Sequence, residues 1–403
     1  MSDLTIQQVL ARAEAQAPEF VTFRRDIHQH PELGFEEHRT SERVADCLQR
    51  YGYTVQRGVG GTGVVAQLRR GNGPRRLGLR ADMDALPIVE ATGLPHASQH
   101  AGVMHACGHD GHTAMLLAAA RQLAEHGEFD GTLNLIFQPA EEGLGGALKM
   151  MEDGLFEQYP CDAIFAMHNM PGYPQGHLAL REGAAMASSD QVFITVRGVG
   201  GHGAMPHKAA DPVVAASSLV MALQTVVSRN VDPLAMAVIT VGAFHAGEAN
   251  NVIPETASLK LSVRSLDREV RQLLRERITE LAHAQARSLG CEATVDYRAG
   301  YAVLVNTPAE TALAREVALA LNGPERVLLQ APALPGSEDF AFMLERVPGS
   351  YVLIGNGDGH DDSPYAGHSA CMVHNPSYDF HDSNVARGAA FWVLLAQRFL
   401  QAA

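Results

Sequence analysis

Short apolar runs alternate with longer amphipathic stretches along most of this chain. The runs at 132–137 and 163–168 are mostly apolar, which is typical of strands that are buried on both faces of a sheet. Strands are predicted at 63–68, 76–82, 132–137, 163–168 and 351–355, and helices at 113–126, 307–321 and 383–400. This alternation predicts an α/β fold, with a mostly parallel sheet flanked by helices.

The residues from 1 to about 52 are predicted to be helical. One helix is expected to close at Pro31, because proline interrupts helical hydrogen bonding. Thr40 and Ser41 are expected to cap a second helix that ends before Gly52. The first strand of the sheet is therefore expected at 63–68.

The pattern changes between 187 and 299. Strands are predicted there at 192–197, 236–243, 256–264 and 293–297, separated by helices that begin after Asp211 and Asp267. The order βαββαβ is that of a split, ferredoxin-like α+β unit. We therefore predict two domains, one formed by 1–186 together with 300–403 and one inserted at 187–299.

Composition narrows the class of protein. The chain has 403 residues, of which 46% are hydrophobic and 19% charged, as in ordinary globular proteins. A net charge of -14 argues against nucleic acid or an anionic membrane as a partner. No signal peptide or membrane span is expected, so a cytoplasmic location is predicted. The five cysteines form no CxxC pair, which argues against a disulfide framework.

The eight residues of segment 105–112 include an unusual number of side chains that can bind a metal ion. It holds three histidines, one cysteine and one aspartate. Burying such groups without partners costs free energy, and a divalent metal ion is the simplest partner for them. A solvated polar loop is the alternative for this segment taken alone.

Further candidate ligands follow the predicted strands. Asp84, Glu141, Glu142 and His168 all lie at carboxyl ends of strands, where open α/β sheets place their sites. The metal-ligand candidates are Cys107, His109, Glu142, His168 and His374, with Asp84, Asp110, Glu141 and His112 nearby. Five nitrogen, oxygen and sulfur ligands exceed the need of one tetrahedral zinc and suit two divalent ions.

We predict different roles for the adjacent residues Glu141 and Glu142. One carboxylate can bind a metal while the other faces a metal-bound water. The identity of the metal stays open. A thiolate favours zinc or a later first-row ion such as nickel or cobalt, whereas imidazole and carboxylate also accept manganese.

Several motifs carry a resemblance to a known family. They are DIHQHPEL at 26–33, RADMD at 80–84, HACGHD at 105–110, QPAEE at 138–142, HNMP at 168–171 and GSEDF at 336–340. Together they resemble the aminoacylase and carboxypeptidase family of co-catalytic metallohydrolases. Within it they are most similar to the amidohydrolase branch, which includes hippurate hydrolases, N-acyl-amino-acid amidohydrolases and auxin-conjugate hydrolases.

The resemblance implies specific roles for residues in both domains. The five candidates Cys107, His109, Glu142, His168 and His374 become the metal ligands and Glu141 the general base. Asp84 is expected to orient a ligand histidine through its other ring nitrogen. In the inserted domain, His202 becomes the oxyanion-stabilising residue, often across a dimer, and Asn251 and Arg264 become substrate contacts. Many other branches have an aspartate bridging the metals where this branch has the cysteine pattern, so their metal geometry is not transferred.

The predicted function is therefore metal-dependent hydrolysis of the amide bond of N-acyl-L-amino acids, by a metal-activated water with Glu141 as the base. The domain at 187–299 becomes a lid and dimerisation domain of a homodimer or homotetramer. The alternatives are a dipeptidase or carboxypeptidase, an N-acetyl-diaminopimelate-type deacetylase, and a non-catalytic metal-binding scaffold. The motifs of zinc deaminases and of G-x-S-x-G serine hydrolases are absent.

Overall fold

The predicted buried strands form the centre of a large sheet in a computed structural model of the protein, which describes residues 3–357 and 371–401. The strands are β1 (Thr54–Val59), β2 (Gly63–Arg70), β3 (Arg76–Asp82), β4 (Gly131–Gln138), β5 (Ala163–Pro174), β6 (Leu178–Ala179), β7 (Gly183–Met186), β8 (Asp190–Arg197), β9 (Gly201–His202), β10 (Ala237–Ala246), β11 (Val252–Ile253), β12 (Thr256–Ser265), β13 (Glu292–Arg298), β14 (Leu304–Asn306), β15 (Val327–Leu328) and β16 (Gly349–Gly357). The helices are α1 (Asp3–Gln29), α2 (His38–Arg50), α3 (His109–His126), α4 (Gly146–Glu152), α5 (Leu155–Gln158), α6 (Pro212–Asn230), α7 (Arg268–Ser288), α8 (Pro308–Asn322), α9 (Phe340–Leu344) and α10 (Asn384–Phe399).

The chain divides into two compact units, each with most of its residue contacts within itself. The larger unit comprises Met1–Gly183, Val305–Pro332 and Phe342–Ala403, and the smaller comprises Ala184–Leu304 and Ala333–Ala341. The smaller unit thus extends a few residues beyond the predicted 187–299 at both ends. It also includes the segment Ala333–Ala341, which we assigned to the first domain.

The larger unit is built on an eight-stranded sheet in the order β1-β2-β4-β3-β5-β16-β6-β15. The four central strands β4, β3, β5 and β16 are parallel, while β1 and β2 are antiparallel at one edge. All five strands predicted for this sheet are present, and the fold is the predicted α/β class. The prediction missed β1, an exposed strand in which apolar positions are scarce, and the two-residue strands β6 and β15, which are too short to show a pattern.

Helix starts in the larger unit differ from the predicted ones. Helix α3 begins at His109 instead of 113, directly after Gly108, whose φ is 89°. Thr40 and Ser41 are buried inside α2, which begins at His38 and has Glu37 in the position before its first turn. In both cases side-chain burial and backbone geometry, which local capping patterns do not report, set the start of the helix.

The smaller unit has the predicted ferredoxin-like topology. Its antiparallel sheet has the order β10-β12-β8-β13, so that the first strand of the motif lies between the third and the fourth. Asp211 and Asp267 cap α6 and α7 as expected, each accepting hydrogen bonds from backbone amides in the first turn. The short strands β9 and β11 pair with each other, opposing His202 and Val252.

Among the described helices, α6 is long and apolar enough to cross a membrane. In its most apolar stretch of 18 residues, 33% are buried. Its buried residues, which include Leu219 and Leu223, pack in the core of the smaller unit. A helix that packs on a sheet meets the same length and composition criterion, so α6 is weak support for a membrane span.

Candidate metal centre and active site

The carboxyl ends of the parallel strands and the start of α3 bring the predicted ligands together within the larger unit. Among the described residues, five groups of three side chains have potential ligand atoms within 4.8 Å of one another, and three of these groups consist of the predicted ligands and Glu141. They are Cys107 with His109 and His168, Cys107 with Glu142 and His374, and His109 with Glu141 and Glu142. Because Cys107 belongs to two groups, the arrangement provides two adjoining positions for cations. All five predicted ligands and the predicted base therefore converge.

One ring nitrogen of His109 is hydrogen-bonded, and the other is among the candidate ligand atoms. Its Nδ1 lies 3.0 Å from Asp84 Oδ1, whereas the buried Nε2 has no hydrogen-bond partner among the described residues. Burial lowers the pKa of His109, but the charges of Asp82, Asp84 and Glu142 outweigh it and raise the pKa to about 10. A buried ring nitrogen that has no hydrogen-bond partner and lies near several carboxylates is suited to bind a metal ion.

Cys107 and His168 face each other, with Sγ and Nε2 at a distance of 3.3 Å. The Nδ1 of His168 donates to the carbonyl oxygen of Asn169 at 2.5 Å, which leaves the Nε2 lone pair free for a cation. Burial lowers the pKa of His168 well below its usual range, so the ring is neutral. Burial, together with Glu142 and Glu141, raises the pKa of the Cys107 thiol, and a divalent cation would compensate the charge of the thiolate.

Glu142 and His374 complete the second group from opposite sides. The Nε2 of His374 lies 3.2 Å from Glu142 Oε1, and the His374 side chain is 51% exposed. His374 has a positive φ of 69°, which is uncommon for a residue other than glycine. Its backbone amide donates to the carbonyl oxygen of Ala106 at 2.7 Å, which ties this loop to the segment that carries Cys107.

Glu141 lies in a loop that directly follows the buried strand β4. The chain turns sharply at Ala140, whose φ is 53°. The amide of Glu142 donates to Asp84 Oδ2 at 2.9 Å, so Asp84 holds both a ligand ring and the backbone beside the predicted base. Glu141 itself is only 7% exposed, as expected of a carboxylate that must act in a site from which most water is excluded.

The remaining polar residues of 105–112 have other partners or none. His112 Nδ1 lies 2.6 Å from Asp82 Oδ1, and its Nε2 accepts a hydrogen bond from the Asn169 amide at 2.9 Å. With both nitrogens engaged, His112 supports the site without binding a cation. Asp110 accepts from Arg24 and lies 2.8 Å from His28 Nδ1. His105 is buried without hydrogen-bond partners among the described residues, and burial lowers its pKa to about 4.

Sequence reasoning missed several residues that hold the ligands in place. Asn169 donates from Nδ2 to the Cys107 carbonyl at 2.6 Å and accepts from the hydroxyl of Tyr378. A side chain at Gly108 would collide with both, since an added Cβ would lie 2.4 Å from Asn169 Nδ2 and 2.6 Å from the Tyr378 hydroxyl. Two features of the sequence could have indicated these contacts. They are Asn169, directly after the ligand His168, and Gly108, between the ligands Cys107 and His109.

His202, Asn251 and Arg264 lie in the smaller unit. The Nδ1 of His202 accepts a hydrogen bond from the Ala204 amide at 3.0 Å, which leaves the proton on Nε2 for donation. The carbonyl of Asn251 accepts from Gly203 at 2.8 Å, beside the β9 and β11 pair. Arg264 lies on β12, and its Nη1 donates to the Pro335 carbonyl at 3.3 Å. The structure thus places His202 and Asn251 together, and Arg264 on the sheet.

Comparison with known proteins gives the family. Residues 78–398 match the model of peptidase family M20/M25/M40. The chain is 46% identical over 383 residues to the hippurate hydrolase of Campylobacter jejuni, covering 95% of this chain and 97% of that protein. It is 40% identical over 358 residues to the N-acetyldiaminopimelate deacetylase of Geobacillus thermodenitrificans, covering 88% and 93%.

Among solved structures, a dinuclear metal-binding peptidase of the M20 family from Bacillus subtilis superimposes with a TM-score of 0.82. The two sequences are 32% identical, and the match covers 97% of this chain and 99% of that one. The region that matches the family model includes residues of both units. The chain therefore belongs to peptidase family M20/M25/M40 and is a hydrolase of amide bonds.

Proposed function

We propose that this chain hydrolyses N-acyl-L-amino acids of the hippurate type to a carboxylic acid and a free amino acid. The observation that carries the chemistry is the convergence of five nitrogen, oxygen and sulfur ligand atoms with the carboxylate of Glu141. The 46% identity to a hippurate hydrolase over nearly the whole chain supports this substrate class.

Two divalent cations, when bound, would activate a water and polarise the amide carbonyl. Cys107, His109, Glu142, His168 and His374 would hold them. The mixed set with one thiolate favours zinc, nickel or cobalt, and manganese is the alternative that imidazole and carboxylate accept.

The protein side chains move the protons. Glu141 would take the proton of the attacking water and deliver it to the amine nitrogen as the amide bond breaks. Asp84 would keep the His109 ring in the tautomer that presents Nε2 to the cation. His202 would donate from Nε2 to the oxygen that gains negative charge, and such a donor contributes on the order of 10²–10³ in rate. Asn251 and Arg264 would contact the substrate.

The test is a substrate panel measured after chelation and reconstitution with single metals. The panel contains benzoyl-, acetyl- and indoleacetyl-amino acids, N-acetyl-diaminopimelate and dipeptides. We expect the highest kcat/KM for an N-acyl-amino acid with a large acyl group. A preference for N-acetyl-diaminopimelate would support the deacetylase alternative, which the 40% identity to such an enzyme favours. A preference for dipeptides would overturn the proposal.

We also propose that the smaller unit joins two copies of the chain, as a homodimer or within a homotetramer. Two exposed apolar residues of α6, Val214 and Met221, support a contact of this kind. Mass measurement in solution tests the assembly.

A mixing experiment tests whether His202 acts in the site of a partner subunit. Variants His202→Ala and Glu141→Gln are each expected to be inactive, and co-expression of the two would restore about a quarter of the sites if His202 acts across a two-fold dimer. If His202 acts within its own subunit, no activity would return.

A cytoplasmic location is our further proposal. The described cysteines are free of disulfide bonds, as is usual in a reducing compartment. Fractionation of the source cells would test it.

A further inference from the structure

Glu37 is a buried carboxylate outside the set of predicted ligands. It precedes the first turn of α2 and is fully removed from solvent. Its Oε1 accepts a hydrogen bond from the backbone amide of Ala140 at 2.8 Å, and its Oε2 accepts one from the hydroxyl of Thr62. Neither partner is a cation, and burial raises the pKa of Glu37 to about 7. An acid in such a position costs stability, which indicates that its hydrogen bonds serve the arrangement of the loop it contacts.

That loop contains a strained residue. Ala140 is buried and has a φ of 53°, in the left-handed region that residues with a side chain rarely adopt. Such a conformation is unfavourable for a residue with a side chain and persists only where the surroundings enforce it. The surroundings here are the bond to Glu37, a bond from Gly146 to the Ala140 carbonyl at 3.0 Å, and the close packing of Gly34, where an added Cβ would lie 3.0 Å from the Ala140 Cα.

The two amides that flank Glu141 are both held by buried carboxylates. Glu37 accepts from the Ala140 amide before it, and Asp84 accepts from the Glu142 amide after it. Because these bonds hold the Pro139–Ala140 and Glu141–Glu142 peptide groups, they fix the backbone on both sides of Glu141 and so the direction in which its side chain leaves the backbone. Asp84 also contacts a ligand histidine, whereas no hydrogen bond described for Glu37 reaches a predicted ligand side chain.

We propose that Glu37 is a positioning residue for the general base, because its carboxylate holds the strained backbone at Ala140 and thereby aims Glu141. The proposal rests on the proposed role of Glu141 in amide hydrolysis. A displacement of about 1 Å in a reacting group can cost on the order of 100-fold in rate. Loss of the Glu37 contact should therefore reduce turnover while the cations stay bound.

The experiment compares three variants of the metal-loaded enzyme. Glu37→Leu removes both acceptor oxygens, Glu37→Gln keeps an acceptor for the Ala140 amide, and Glu36→Gln changes the adjacent exposed carboxylate. We expect Glu37→Leu to lower kcat about 10–100-fold with less than about a threefold change in KM. Metal content should stay at the wild-type value. Glu37→Gln should recover most of kcat, and Glu36→Gln should match the wild type.

Two further readouts separate positioning from general loss of structure. The acidic limb of the kcat/KM profile, which reports the base, should shift in Glu37→Leu and not in Glu36→Gln. Hydrogen exchange of the peptide covering 139–146 should accelerate in Glu37→Leu, while core peptides from α10 keep their protection. If Glu37→Leu does not fold, Thr62→Val, which removes only the second contact of Glu37, should show a smaller acceleration in the same peptide.

The outcomes distinguish this proposal from the proposed function. Wild-type inactivity on every N-acyl-amino acid would overturn the substrate assignment, and hydrogen exchange would then decide whether Glu37 holds the loop. Wild-type kcat in Glu37→Leu, unchanged exchange at 139–146, or a loss of activity that only follows a loss of bound metal would each overturn the positioning role.

Discussion

The carboxylate of Asp84 accepts a hydrogen bond from Nδ1 of His109 at 3.0 Å and so fixes which nitrogen of that ring faces the metal position. Replacing Asp84 with asparagine removes the negative charge that makes the ring a stronger ligand. We expect Asp84→Asn to weaken metal binding about 10–100-fold, as is typical for such a partner of a ligand histidine. Competition with a chelator of known affinity measures this change. The exposed Asp46→Asn variant is the control, and equal affinities in the two variants would contradict the role of Asp84.

Glu141→Gln separates catalysis from metal binding. The amide side chain keeps the size of the carboxylate but cannot accept a proton, so kcat should fall on the order of 10²–10⁴-fold. Metal content should be unchanged, because Glu141 is not among the five proposed ligands. Steady-state kinetics and elemental analysis of the same preparation test both statements, with the exposed Glu152→Gln as control. Near-normal turnover by Glu141→Gln would refute its assignment as the base.

Cys107 belongs to two of the candidate ligand groups, one with His109 and His168 and one with Glu142 and His374, so its loss should affect both cations. We expect Cys107→Ala to bind fewer than two metal ions per subunit at concentrations that saturate the wild type. Elemental analysis after gel filtration measures the stoichiometry. Cys161→Ala, at a partly buried cysteine away from these groups, is the matched control. Unchanged stoichiometry in Cys107→Ala would remove the thiolate from the ligand set.

His28 gives the larger unit a pH-dependent contribution to stability. Burial lowers its pKa, but Asp110 and a hydrogen bond to Glu90 outweigh this and raise the pKa from 6.5 to about 9. Because the folded-state value is the higher one, the contribution is complete below about pH 6.5 and is lost as the pH rises through about 9. Its size is on the order of 3 kcal/mol, at 1.36 kcal/mol for each pKa unit.

Thermal unfolding between pH 6 and pH 10 checks the sign. The difference in Tm between the wild type and His28→Gln should be largest near pH 6 and should shrink as the pH rises. His38→Gln, at an exposed histidine, should unfold like the wild type throughout. A difference that stays constant over this range would show that the ion pair with Asp110 is not what His28 contributes.

Much of the fold could be predicted because its signals are local. The apolar runs at 132–137 and 163–168 became β4 and β5, and the alternating strands of 187–299 became the ferredoxin-like sheet. The candidate ligands could also be predicted, since parallel strands release their carboxyl ends at the same edge. The prediction failed at β1 and at the starts of α2 and α3, where exposure, burial or a glycine with positive φ overrides the local pattern.

The sequence by itself determined the class of chemistry, because the residue types in its motifs predict metal ligands and the order of those motifs along the chain resembles that of a family of amide hydrolases. Only the tertiary structure decided how those groups are held. Glu37 reaches the Ala140 amide across a separation of 103 residues, and Asn169 reaches the Cys107 carbonyl across 62. Such bonds end on backbone groups, which every residue type carries, so no pattern of side chains marks them before the chain is folded.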